Sequence, residues 1–237
     1  MNTKAIIFDK DGTLLDFDSY WVTVSRVALA DILAKTDAVD VTVDDLLLAI
    51  GVHDGVTDID GILCWGTYAG IAEVLHQTLV AHGCTMPLDR FTEIALDAYH
   101  RYVGDGIMRP TCDNLREALS ALKERGFLLA VVTTDDPYTT DQCLLGLGVR
   151  NLFDCLCTDD GICPPKPDPR AVHDLCKRYG LSLDEIVMVG DTLTDMRFAK
   201  NAGIRAIGVA KNEKNRKILS TMTDTVVHDV SFVGELL

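Results

Sequence analysis

From Gly106 onward the chain repeats one pattern: a short apolar run, a polar or glycine joint, then a longer stretch with helical spacing. Residues 127–133 are apolar and end in hydroxyls, 186–189 run into Gly190-Asp191, and 205–209 are apolar again. Helical patterns fill 112–125, 138–147 and the stretches leading up to Tyr179 and Ala202, while shorter strands fit 153–157 and 225–227. Near-continuous apolar strands alternating with helices predict a parallel sheet covered on both faces, the doubly wound α/β class. Residues 4–8 supply one more strand at the start of the chain. Between these parts the rhythm changes. Helical patterns near 19–36, 42–50, 67–83 and 88–103 are separated by Gly- or Asp-rich joints, and no strand is expected there. Thr42 with Asp45 three later suits a helix start, although 41–43 also reads as extended. The expected organisation is an α/β core domain made of residues 1–15 and 107–237, with an all-helical domain inserted over 16–106.

A chain of 237 residues can bury a sizeable core. Its net charge of −14 argues against binding to nucleic acid or to an anionic membrane, both of which need Lys and Arg. Residues 16–106 carry 4 Lys/Arg against 15 Asp/Glu, and the remainder carries 18 against 21. The insert therefore holds most of the negative charge, either as a solvated surface or as a means of rejecting highly anionic ligands. No stretch approaches the roughly 18 apolar residues of a spanning helix. The first apolar run leads straight into acidic sequence, unlike a signal peptide, so reduced cysteines and a cytoplasmic location are expected. Cys155, Cys157 and Cys163 are the one cluster among eight cysteines, and they lack a fourth ligand for zinc.

The apolar run of the first strand passes directly into Asp9-Lys10-Asp11-Gly12-Thr13. The carboxyl ends of strands are where open α/β sheets carry out chemistry. In an extended chain residues i and i+2 point the same way, so Asp9 and Asp11 are expected to face one site. Two adjacent carboxylates stay ionised most easily beside a cation such as Mg²⁺. A parallel sheet brings three further groups to the same edge: the hydroxyls of Thr133 and Thr134, Lys166 within Pro164-Pro165-Lys166-Pro167, and Asp191 with Asp195. Asp195 falls four residues after Asp191, which predicts that both lie on one helix face. Carboxylates for a cation, donors for an anion and a fixed ammonium together suit phosphoryl transfer.

These motifs, in this order over residues 9–195, resemble the haloacid dehalogenase superfamily of phosphohydrolases. The helical insert after the first motif is similar to the cap of the subclass that includes phosphoglycolate phosphatases and β-phosphoglucomutases. The resemblance implies a Rossmann-like core and a role for each matching position. Asp9 would be the nucleophile and Asp11 the general acid and then base. Thr133, Thr134 and Lys166 would hold the phosphoryl group. Asp191, the Asp9 side chain and the Asp11 carbonyl would bind Mg²⁺, with Asp195 beside them or as an occasional ligand. Relatives that displace halide lack an acid at the Asp11 position, so its presence argues against dehalogenation. Relatives that cleave carbon–phosphorus bonds use a cap lysine. Lys35, the insert's one lysine, is expected mid-helix and solvated.

The implied activity is a Mg²⁺-dependent phosphatase acting through an aspartyl-phosphate on a small phosphorylated metabolite, phosphoglycolate-like or a sugar phosphate. A phosphomutase and a non-catalytic binding protein on the same fold stay open at this stage, as do monomer and homodimer. Within the insert, 61–68 is apolar and Gly-flanked and is a candidate for the segment that closes over substrate. Phe17, Asp18, Tyr20 and Trp21 follow the first motif and suit an entrance, and Tyr20 and Trp21 suit the insert's own core as well. Arg26, Arg90 and Arg101 suit either a substrate carboxylate or a solvated surface.

Overall fold

Outside the inserted stretch, strands form where the apolar runs predict them. In chain order they are β1 (Ala5–Phe8), β2 (Val52–His53), β3 (Val56–Thr57), β4 (Leu128–Val132), β5 (Cys155–Cys157), β6 (Ile186–Gly190), β7 (Arg205–Val209) and β8 (Val226–Val227). This computed structural model describes residues 2–58 and 61–237. It divides into one unit of Met1–Asp16 with Met108–Leu237 and a second of Phe17–Ile107.

The first unit is built on a six-stranded sheet in the order β5-β4-β1-β6-β7-β8. Every neighbouring pair is parallel, with Phe8 beside both Val131 of β4 and Val189 of β6. Side chains alternate between the two faces, as period-2 geometry requires. Ile6, Phe8, Leu129, Val131, Val187 and Val189 point to one face and pack with Leu115, Leu119, Leu122, Leu144 and Val233. Ala5, Ile7, Ala130, Val132, Ile186 and Met188 point to the other and pack with Val172, Leu175, Phe198 and Ala199. Burial of one such aliphatic side chain is worth roughly 1.5–3 kcal/mol, so the sheet is held from both sides. Phe8 also meets Phe153 edge-on, with ring centroids 6.1 Å apart.

Local chemistry sets where the covering helices stop and start. Helix Arg170–Tyr179 follows Pro169, buries Ala171, Val172 and Leu175, and ends at Gly180 with φ 67°. Helix Leu193–Ala202 starts at Thr192, whose side chain and that of Asp195 form a reciprocal capping box. The basic segment after β7 holds a further helix, Glu213–Leu219. Only Leu219 of it is buried, so its hydrophobic periodicity is weak, and its local signal is the Asn212 side chain accepting from the Asn215 N–H.

The second unit contains helices Thr23–Leu33, Val43–Ala49, Ile62–Trp65, Tyr68–Ala81 and Leu88–Tyr102. Leu88–Tyr102 buries Phe91, Ala95, Ala98 and Tyr99, one stripe at i, i+4, i+7 and i+8. Thr42 caps the second of these helices through a capping box with Asp45, which settles the 41–43 ambiguity in favour of a helix start. The expectation of no strand is corrected by a two-residue hairpin, β2 with β3. Its turn, Asp54-Gly55, has φ 52° and 79°, the positive values that an Asp-Gly hairpin turn favours.

One expectation for this unit changes, at Lys35, and several open readings gain a structural setting. Tyr20 and Trp21 are buried, Tyr20 donates to the Val103 carbonyl at 2.6 Å, and Asp18 accepts from the Thr57 N–H at 2.9 Å, so these residues build the unit's own interior. Lys35 lies just past its helix and pairs with Asp31 at 2.9 Å. The 61–68 segment contains the short helix Ile62–Trp65, with Leu63 buried and Trp65 63% exposed. Arg26, Arg90 and Arg101 each pair with a carboxylate of the same unit, Asp44, Glu93 and Asp97 respectively. Among the described residues, no helix is long and apolar enough to cross a membrane.

Candidate functional site

The carboxyl ends of β1, β4 and β6 and the loop before helix Arg170–Tyr179 supply the residues singled out from the sequence. β1 ends at Phe8, yet the Asp9 N–H still donates to the Val189 carbonyl of β6 at 2.9 Å, which anchors Asp9 on the sheet. The chain then turns. The Lys10 carbonyl accepts from the N–H groups of Leu14 and Leu15 at 2.8 and 2.9 Å, and Gly12 sits at φ 78°. Only glycine adopts that conformation without strain, and a Cβ there would run into the Asp191 carboxylate.

Asp9, Lys166, Asp191 and Asp195 come together. Lys166 donates from Nζ to Asp9 Oδ1 and to Asp195 Oδ1, the second at 2.7 Å. Single oxygens of Asp9, Asp191 and Asp195 all lie within 4.8 Å of one another. Asp191 is steadied from the first loop, because Thr13 Oγ1 donates to its Oδ1 at 2.8 Å. Asp195 reaches the cluster by a different route from the one expected. Asp191 precedes the helix, so the two do not share a helix face. Asp195 stands at the third helical position, where its Oδ2 accepts from the Thr192 N–H and hydroxyl while its Oδ1 takes the Lys166 ammonium.

Beyond the end of the strand Asp9 and Asp11 take different partners, while Asp11 stays near enough to Asp9 for its charge to push the Asp9 carboxyl up. Asp11 Oδ1 accepts from Lys10 Nζ at 2.6 Å. The buried Thr133 hydroxyl accepts from the Asp135 N–H at 3.2 Å, and Thr134 is exposed. Sequence reasoning passed over Lys10, Thr13 and Asp135. Thr13 follows Gly12 in the first motif and could have been found there. Lys10 stands between the two aspartates and reads as solvated, while Asp135 carries no signal beyond following the Thr133-Thr134 pair.

The electrostatics are those of crowded, dehydrated acids. Burial, with Asp195 and Asp11 adding repulsion, pushes Asp9 up to about 7 against the pull of Lys166. Burial followed by repulsion from Asp9 and Asp195 raises Asp191 well above the usual carboxylate range. Burial by itself would lower Lys166, but Asp195 and Asp9 outweigh it and the ammonium is held more firmly than in water. One ammonium among three crowded carboxyls, two buried and one half-buried, would leave the group under-neutralised when all are ionised. An all-oxygen donor set with surplus negative charge fits a hard divalent cation. The cysteine cluster has a different character. Burial raises the Cys155 and Cys157 thiols, and among the described residues no group of three metal-capable side chains forms there.

Residues 3–203 match the family described as haloacid dehalogenase-like hydrolase. The chain is 28% identical over 206 residues to a phosphoglycolate phosphatase of Colwellia psychrerythraea, covering 87% of this chain and 84% of that one. It is 28% identical over 216 residues to the pyrophosphatase PpaX of Bacillus velezensis, covering 91% and 87%. Among solved structures, a predicted phosphoglycolate phosphatase from Haemophilus somnus superposes with a TM-score of 0.76 at 22% identity, covering 100% of this chain and 98% of that one, which shows a shared fold.

Proposed function

The chain belongs to the haloacid dehalogenase-like hydrolases, and from that premise we propose that it is a Mg²⁺-dependent phosphatase of small phosphate esters that works through an aspartyl-phosphate on Asp9. One observation carries this reading: Asp9, anchored at a strand end, is bonded by Lys166 and lies within 4.8 Å of two further carboxylates. Relatives named for phosphoglycolate and for pyrophosphate favour a small phosphorylated substrate over a macromolecular one.

The residues supply the steps in order. Asp9 attacks phosphorus, so an Asp9 O–P bond forms while the ester O–P bond breaks. Asp11 gives its proton to the departing oxygen, then takes a proton from the water that attacks phosphorus and releases inorganic phosphate from Asp9. Lys166 steadies Asp9 and offsets the charge of the phosphoryl group, and Thr133 and Thr134 provide donors at the end of β4. Asp9, Asp191 and the Asp11 carbonyl would hold Mg²⁺, which supplies neutralisation between the anionic nucleophile and the anionic substrate. Asp195, whose two oxygens are engaged by Lys166 and Thr192, sits behind these ligands and orients the lysine.

The test is inorganic phosphate release from a panel that includes phosphoglycolate, hexose phosphates and pyrophosphate, with Mg²⁺ and with a chelator. Mg²⁺-dependent release is expected, with one ester favoured. A folded protein that releases phosphate from none of them contradicts the reading. Gly12→Ala is expected to raise the Mg²⁺ concentration for half-maximal rate by about 10–100-fold, the range seen when a ligand's support is disturbed. A Mg²⁺ titration of the variant that overlays the wild type would show that Gly12 does not set the place of Asp191.

A further inference from the structure

Lys10 lies between the two aspartates of the first motif and is completely buried. Burying an ammonium costs several kcal/mol unless it is paired, and an apolar side chain would fill the same space without that cost. Its partners explain its presence. Nζ donates to Asp11 Oδ1 at 2.6 Å and lies 2.9 Å from Asp135 Oδ2, with Cys143 Sγ at 3.9 Å. Asp135 in turn gives its backbone N–H to the Thr133 hydroxyl. Because β1 and β4 are adjacent and parallel, the loops that follow them are neighbours, and Lys10 joins the two. A continuous chain of contacts thus runs from Asp11 through Lys10 and Asp135 to Thr133.

We propose that Lys10 is a positioning residue: clamped by Asp135, it fixes the Asp11 carboxylate where a leaving oxygen receives its proton, and ties that point to the phosphate-holding end of β4. The inference rests on the phosphatase reading and extends it to a residue outside the reacting groups. Two carboxylates share one buried ammonium, so Lys10 is held from both sides and cannot swing away with Asp11. Asp11 is thereby oriented by contact with a buried ammonium, although the loop that carries it turns at Gly12 and has left the strand ladder.

The consequence is selective. A leaving group that departs as a stable anion needs little protonation, whereas an alkoxide needs a well-placed acid. The experiment measures kcat/KM for p-nitrophenyl phosphate and for an alkyl phosphate such as phosphoglycolate, in wild type, Lys10→Met and Asp135→Asn. The expected result for Lys10→Met is a loss of about 10–100-fold on the alkyl ester, the range for a displaced catalytic group, and a clearly smaller loss on the aryl ester. Asp135→Asn keeps the shape of the clamp and is expected to show the same selectivity at smaller amplitude. It also serves if Lys10→Met fails to fold, which its circular dichroism would reveal. Equal losses on both esters in a folded variant overturn the positioning role and leave the phosphatase reading intact. A wild type inert on these two esters and on every other ester of the panel overturns both.

Discussion

Asp9→Asn is expected to abolish turnover, by about 10⁴-fold or more, while leaving the protein folded and no less heat-stable in the absence of Mg²⁺. The amide cannot act as an anionic nucleophile, so the covalent route closes. Stability moves the other way because the Asp9 carboxyl is dehydrated and faces Asp195 and Asp11, which push it up to about 7. A group raised that far binds protons more tightly folded than unfolded, so the stability it costs builds up between about pH 4 and 7 and stays at its full value above that. Removing the charge removes that cost. Phosphate release and a thermal melt on the same preparation check both halves. A variant that retains turnover would remove Asp9 from the reaction, and one that melts far below wild type would show that the carboxylate is needed structurally.

Lys166→Met has the second-largest expected effect, and here activity and stability fall together. Lys166 is the ammonium bonded to both Asp9 and Asp195, and all three are buried. Breaking a buried ion pair from one side costs about 3–5 kcal/mol because the remaining charge is left uncompensated. For a chain of this size that is roughly a 10 °C fall in Tm, at about 2–4 °C per kcal/mol. Turnover should drop about 10³-fold through loss of charge stabilisation at the phosphoryl group. Mg²⁺ should recover part of the lost Tm, because a cation bound only to the folded state stabilises it by mass action. Unchanged melting, with or without Mg²⁺, would contradict this account of the cluster. Lys166→Arg is not a conservative control, since a planar guanidinium cannot take the place of a compact ammonium between two carboxylates.

The contrast between these variants follows from what was and was not legible in the sequence. The sheet was legible because buried parallel strands are written as near-continuous apolar runs, and 127–133, 186–189 and 205–209 are such runs. Strand ends were legible for the same reason, which is why Asp9, Thr133 and Asp191 could be placed on one edge. What lay beyond the strand ends was not. Period-2 logic carried past Phe8 gave no hint that Asp9 and Asp11, on either side of the chain's turn toward Gly12, take different lysines. Helical logic carried back before Leu193 put Asp191 and Asp195 on one helix face, whereas Thr192 is the cap and Asp195 arrives through it.

Other features escaped because their causes are not periodic. Lys10 reads as a solvated charge, and its burial depends on Asp135, more than 120 residues away in sequence. The hairpin of β2 and β3 has arms of two residues, too short for alternation to register, although Asp54-Gly55 announces the turn. Tyr20 and Trp21 suited an entrance because they follow the first motif. Their hydrogen bonding and ring packing within the second unit place them in its interior, with the two rings edge-on at 5.3 Å.

The central claim is that a phosphoryl group passes through Asp9. The direct measurement is the intact mass of the Asp11→Asn variant, quenched in acid during reaction with an active phosphate ester and Mg²⁺, followed by peptide mapping. Without the carboxylate that activates water, the covalent state should accumulate. The expected result is a mass gain of one phosphoryl group, mapped to Asp9 and absent when Mg²⁺ is chelated. No gain at any time point in a variant that still consumes substrate, or a gain mapped to another residue, would contradict the account.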